Sequence, residues 1–183
     1  TVIIPVVTNL PQLTSNVTVT NLTVMPGANL DLNGYTLEID GAFTGSATGY
    51  LKGSTSSGLT TSGTTGTLYF DQTTNGATNV LKTLNVSAGS ATLGNALNIA
   101  AGSAGNYGTV QVTGGTLNAN DNLTLKSDIN GTARVGQSSG SITGNVTVER
   151  FIPPLRAWRF LAVPFSSSTQ TIRDAWQEGV NNY

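Results

Sequence analysis

The 183-residue chain contains no cysteine and no histidine. The first absence removes disulfides, thiolate nucleophiles and cysteine-ligated zinc, and the second removes the commonest general base. Ser-His-Asp and Cys-His triads are therefore both excluded. Charge is scarce too: 8 Lys plus Arg and 9 Asp plus Glu make 9% of the chain, against about 25% in an ordinary globular domain. With a net charge of −1, the basic residues are too few and too scattered to form the footprint that holds a phosphate backbone. Nucleic acid is not an expected partner. Long hydrophobic runs are also missing. The apolar stretches 2–7 and 160–165 each contain a proline and fall far short of the ~20 residues that cross a bilayer as a helix, so no membrane insertion is expected.

Small polar residues fill the space. Gly, Ser, Thr and Asn account for 85 of the 183 residues, a composition that often accompanies disorder. Against disorder stands a hydrophobic content of 38% arranged in a fixed local pattern, which allows burial to offset chain entropy.

The recurring unit is an apolar-polar-apolar triplet. It appears as Val17-Thr18-Val19, Leu22-Thr23-Val24, Leu30-Asp31-Leu32 and Leu37-Glu38-Ile39. It resumes as Leu84-Asn85-Val86, Ala91-Thr92-Leu93, Leu97-Asn98-Ile99, Val110-Gln111-Val112, Leu123-Thr124-Leu125 and Val146-Thr147-Val148. Alternation of this kind marks a strand with one buried face. Turn residues that tolerate positive φ follow many of the triplets, as at Asn33-Gly34, Asp40-Gly41, Gly114-Gly115 and Asn130-Gly131. Leu84, Leu97, Val110 and Leu123 are spaced 13 residues apart, and Ala91 and Leu117 are 26 apart. Sandwiches and barrels use longer strands. Short strands at near-constant spacing predict a parallel β-solenoid whose coils bury their aliphatic positions on one another. The fraction of a coil that 13 residues represent is left open by the spacing alone. Between the two groups of triplets, residues 52–66 carry Leu59 as their only apolar anchor. They are expected to form a surface excursion between coils, with thin turns stacked through Thr as the other reading.

Composition changes near residue 149. Residues 149–183 hold 6 of the 12 aromatics and 7 of the 17 charged residues, with a single glycine, Gly179. Pro153-Pro154 forces an extended turn, and Ile172, Ala175 and Trp176 are at helical spacing ahead of Gly179, a candidate C-cap. One short helix is expected there. The organisation expected is thus an all-β, right-handed parallel β-solenoid (β-helix) over 1–148, followed by a short irregular segment containing one helix. That segment, 149–183, reads as an aromatic-rich cap over the open end of the stack or as the start of a following module.

The opening VIIPVVTNLPQLTSNVTVTNLTVMPGANLDLNGYTLEIDGAFTG resembles the start of β-helical regions in large secreted proteins of Bacteroidetes exported by the type IX pathway. GNVTVERFIPPLRAWRFLAVPF with TIRDAWQEG is similar to the segment that closes those regions. About 45 residues at each end carry the likeness. It implies a long adhesin-like parent protein with a separate sorting domain and an extracellular or cell-surface location. The N-terminus lacks a Lys/Arg-led signal sequence, so the chain is expected to be a mature or trimmed piece of that parent.

Candidate chemistry is thin. Asp31, Glu38 and Asp40 are the nearest approach to the paired carboxylates of a polysaccharide-active β-helix, as outward residues on what are expected to be adjoining strands. No Lys or Arg lies within ten residues of them, and no aromatic cluster builds a sugar platform beyond Tyr35, so solvated outer-face charges are the expectation. Asp31-Leu32-Asn33-Gly34 and Asp128-Ile129-Asn130-Gly131 share the opening of a calcium loop, but its later ligands are missing. Asx turns account for both, and Asn118, Asn120 and Asp121 are a weaker calcium set. No metal site and no cofactor are expected. Thr18/Thr20, Thr65/Thr67 and Thr169/Thr171 are Thr-x-Thr pairs of the kind that order water on ice-binding solenoids, at separations matching no coil repeat. Six Asn-x-Ser/Thr sequons arise readily in so Asn- and Thr-rich a chain. Arg156, Trp158, Arg159 and Trp176 form a candidate interface, since Trp and Arg anchor many interfaces.

The reading that results is a non-catalytic structural or adhesive module, a stiff stalk or fibre segment that self-associates end to end in one variant. Its partners would be other domains of a longer parent, copies of itself, glycans or surfaces. A polysaccharide hydrolase or lyase is the alternative, and an ice-binding protein the minor one.

Overall fold

A strand of alternating residues three or four long buries too little to persist alone, so each must lie against a neighbour that buries the same face. The computed structural model describes residues 1–153, and residues 1–152 form one folding unit. The chain winds repeatedly around three faces of strands, every pair between successive turns being parallel. Face 1 is a six-stranded sheet of Val17–Val19, Thr36–Ile39, Gly58–Thr61, Thr83–Val86, Thr109–Val112 and Arg134–Val135. Six rungs define five complete turns. Among the described residues there is no helix, and the helix expected near 172–178 lies outside them.

Face 2 begins with Val2–Ile4, Leu22–Val24 and Phe43–Thr44 and continues with Thr64–Leu68, Ser90–Leu93, Thr116–Asn118 and Ser141–Thr143. Face 3 begins with Asn29–Asp31 and Tyr50–Lys52. It continues through the Leu51–Phe70 bridge to Val80–Leu81, Leu97–Ile99, Leu123–Leu125 and Val146–Val148. The structure is therefore the parallel β-solenoid that the triplets predict.

Register accounts for the spacing. On face 1 the aligned residues Val17, Leu37, Leu59, Leu84, Val110 and Val135 stand one above another. Their numbers advance by 20, 22, 25, 26 and 25. Leu97 aligns with Leu123 on face 3, so the 13-residue series alternates between faces 1 and 3. Thirteen residues are half a coil. Ala91 over Leu117 on face 2 completes the 26-residue coil.

The aligned aliphatics are the core. Leu37, Leu59, Leu84, Val110 and their counterparts Leu93, Leu97, Ile99 and Leu117 are essentially inaccessible to solvent. Burial of each such side chain contributes roughly 1.5–3 kcal/mol. Residues 52–66, expected to leave the stack, do not. Gly58–Thr61 and Thr64–Leu68 are full strands of faces 1 and 2, Leu59 is fully buried, and Thr61 and Thr65 are buried too. Threonine is β-branched and nearly isosteric with valine, so it fills an aliphatic position of the column without announcing it in an apolar count.

The corner between faces 1 and 2 is built from glycine. A Cβ on Gly63 would lie 2.3 Å from the Asp40 carbonyl oxygen, one on Gly89 2.3 Å from the Gly63 carbonyl, and one on Gly115 2.0 Å from the Gly89 carbonyl. Each turn rests directly on the backbone of the turn before it.

Candidate functional site

The corner where face 3 returns to face 1 is irregular, and there the solenoid has its cleft. Lys82 alone turns this corner between Leu81 and Thr83. On other turns longer excursions do so: 53–57, 100–108 with its antiparallel hairpin Gly102–Ser103/Asn106–Tyr107, and 126–133. A one-residue turn between longer ones leaves a cleft of about 440 Å³. Val80, Lys82, Ala100, Thr55, Ser56 and Gly76 line it. Asn106, Lys126, Ser127 and Asp128 line it too.

Its walls are held by polar contacts. Residues 71–79 stand out from face 3. At their start the Asp71 carboxylate accepts from the Thr73 backbone N–H (2.8 Å) and from the Thr73 hydroxyl. At their end the Asn98 amide donates to Asn75 Oδ1 and Asn79 Oδ1, both at 3.0 Å, while Asn79 Oδ1 also accepts from the Gly76 N–H at 2.6 Å. Asn79 is fully buried and Asn98 nearly so; buried amides with their partners in place fix a loop firmly. Opposite, Asp128 Oδ1 accepts from the N–H groups of Asn130 and Gly131, and the Ser127 and Thr132 hydroxyls are 2.7 Å apart. Arg134 lies over the Tyr107 ring, 5.4 Å from its centroid, bracing the hairpin.

The charges divide unequally. Lys126 pairs with Glu149, and Asp128 is committed through one carboxylate oxygen. Lys82 is half-buried and, among the described residues, its ammonium has no ion-pair or hydrogen-bond partner. All three lysines of the chain follow a buried leucine of face 3, namely Leu51, Leu81 and Leu125. That regularity was a usable signal for Lys82 and Lys126. Insertions 71–79 and 100–108 spread the three to separations of 30 and 44 residues, which hides it.

The carboxylates singled out from sequence are not brought together. Neighbours in a parallel solenoid are one coil apart, not one strand apart, so Asp31 falls on face 3 and Glu38 on face 1. Asp31 pairs with Lys52 at 2.8 Å, Glu38 accepts from the Thr18 hydroxyl at 3.1 Å, and Asp40 accepts from the Ser62 hydroxyl at 2.6 Å. The Asp31 and Asp128 loops are Asx turns, with Asp31 Oδ1 accepting from the Asn33 N–H at 2.8 Å. Among the described residues no three His, Cys, Asp or Glu side chains cluster to hold a metal. Arg156, Trp158, Arg159 and Trp176 lie outside the described residues.

Of the Thr-x-Thr pairs, Thr18 falls on face 1 and Thr67 on face 2 with Thr65 buried, while Thr169 and Thr171 lie outside the described residues. Register assembles a different array. On face 2, Thr64, Ser90, Thr116 and Ser141 align in one outward column, and Thr67, Thr92, Asn118 and Thr143 in another. Among the described residues none of their seven hydroxyls has a hydrogen-bond partner, and no charged residue lies on these four strands. Compared with protein-family models, curated proteins and solved structures, the chain matches none.

Proposed function

We propose that the chain is a non-catalytic structural and adhesive module, a stiff β-solenoid segment of a larger secreted surface protein that carries binding surfaces on its sides. The observation that carries this reading is the unbroken side-chain column of face 1, from Val17 through Leu37, Leu59 and Leu84 to Val110, with Val135 aligned but exposed on the last rung. A column of this kind couples every turn to the next and resists bending. The uncharged hydroxyl face supports the adhesive half, since partnerless hydroxyls are free to meet a hydrated or polysaccharide surface. The placement of Asp31, Glu38 and Asp40 on separate partners supports the non-catalytic half against a polysaccharide hydrolase or lyase. Extracellular location rests on the resemblance of the two ends to type IX β-helical regions. Exposed Ile3, Val6 and Leu10 on the first turn suit contact with more of the parent chain or with another copy.

Incubation with a panel of acidic and neutral polysaccharides tests the reading. Retention of glycan without new reducing or unsaturated ends is the expected result; robust turnover lost in Glu38→Gln overturns it. Electron microscopy of the purified chain separates filaments from single particles and so tests end-to-end association.

A further inference from the structure

We propose that the cleft at Lys82 binds a single carboxylated sugar unit, a uronic-acid-type ring, through the Lys82 ammonium. Lys82 offers donors and no acceptor, and nothing among the described residues uses them. Among the described residues the second oxygen of Asp128 is an acceptor without a partner, because its hydrogen bonds there all fall on Oδ1. The Asn106 side-chain amide and the Thr55 and Ser56 hydroxyls are likewise uncommitted. One cation, one hydroxyl-accepting carboxylate and several neutral donor-acceptors suit a ligand bearing one negative charge and many hydroxyls.

Size and charge narrow the choice. At about 440 Å³ the cleft falls in the range of small-molecule pockets, roughly 300–1,000 Å³, and exceeds what a bare ion fills. Lys126 occupies the same coil position as Lys82 two turns on, with Ala100 between them, which sets the two backbones about 10 Å apart. Its charge is answered by Glu149, and Asp128 repels a multiply charged anion. A phosphate or sulfate is thereby disfavoured against a carboxylate. Among the described residues no aromatic side chain lines the cleft, so a neutral sugar has no ring there to stack on and the ammonium must supply the affinity. This inference rests on the adhesive half of the proposed function and is independent of the stalk half.

The test is a titration of the whole chain, followed by calorimetry and amide shifts, with galacturonate and glucuronate oligomers, the matching neutral oligomers, inorganic phosphate and an oligoglutamate peptide. Uronide binding is expected with shifts confined to the cleft, at least tenfold tighter than for the other three. Lys82→Gln should abolish that preference and Asn106→Ala weaken it, while Lys52→Gln, outside the cleft, leaves it unchanged. Both Lys82 and Asn106 are accessible, and unchanged circular dichroism of the variants confirms that the fold persists. Equal binding of phosphate, neutral sugar or peptide, insensitivity to Lys82→Gln, or no uronide binding at millimolar concentration overturns the proposal. None of these outcomes touches the stalk reading.

Discussion

Gly115 sits so close over Gly89 that a Cβ on it would come within 2.0 Å of the Gly89 carbonyl oxygen, and its φ is +86°. Two separate costs then meet in Gly115→Ala: the left-handed conformation, about 1–2 kcal/mol, and overpacking against backbone, typically another ~1–3 kcal/mol. Gly105 has a similar φ of +78° but open space where a Cβ would go. Chemical denaturation should show Gly115→Ala losing at least about 2 kcal/mol and Gly105→Ala only the smaller conformational part, about 1–2 kcal/mol.

Thr61 stands in the inner column between Ile39 and Val86, fully buried, and its hydroxyl has no hydrogen-bond partner. A buried polar group left unpaired costs about 1–3 kcal/mol. Thr61→Val keeps the shape and removes the penalty, so it is expected to stabilise the solenoid by about 1 kcal/mol. A higher thermal midpoint is the readout.

Truncation within the column has the opposite sign. Leu84 lies between Leu59 and Val110 with no accessible surface. Leu84→Ala is expected to cost about 2–5 kcal/mol, whereas Leu10→Ala, at a residue 53% exposed on the first turn, should stay within about 0.5 kcal/mol of the parent.

Asn98 holds the base of the 71–79 wall. Asn98→Ala removes the donor to Asn75 and Asn79 and leaves part of a buried network unmet. The expected loss is about 1–3 kcal/mol. Hydrogen exchange should also quicken at the Gly76 amide, which depends on Asn79, well before the amides of face 1 change.

The Lys52–Asp31 pair makes a pH prediction. The hydrogen bond to the Asp31 carboxylate, and then its charge, raise the Lys52 pKa above its ordinary value, with burial opposing and Asp71 adding a little. A raised folded-state value means that the stabilisation is fully present below the unfolded pKa of about 10.4. It disappears as pH rises through the folded value. Because the lysine side chain is 37% exposed, solvent screening limits the effect to about 0.2–1 kcal/mol. The difference in thermal midpoint between the parent and Lys52→Met should therefore shrink in alkali and be constant through the neutral range.

Particular residues decide how much of this structure was legible in the sequence. Leu84, Leu97, Val110 and Leu123 reveal the solenoid because aliphatics recurring at one fixed spacing require a backbone that returns to the same place at that spacing. Thr61 and Thr65 concealed a whole turn, because threonine in a core position is indistinguishable by composition from threonine on a surface. Glu38 and Asp31 misled for a geometric reason: closeness in sequence places residues on different faces, and only a separation of 18 to 26 residues places them side by side. The cleft was invisible because it is made by a difference in turn length, one residue at Lys82 against several at 100–108. The paired hydroxyl columns of face 2 needed register, since Ser90 with Thr116 and Thr92 with Asn118 share no motif within one strand.

The stiffness of the stack can be measured directly, because a chain without cysteine accepts two spin labels without background. Thr18 and Gln111 occupy one outward column of face 1, with Glu38, Thr60 and Asn85 between them. Four rungs at ~4.8 Å set their backbones about 19 Å apart. Pulsed electron spin resonance on Thr18→Cys/Gln111→Cys should return one narrow distance distribution consistent with that spacing and no broader than the label arms impose. A wide or multi-peaked distribution would contradict a stiff stack and, with it, the stalk.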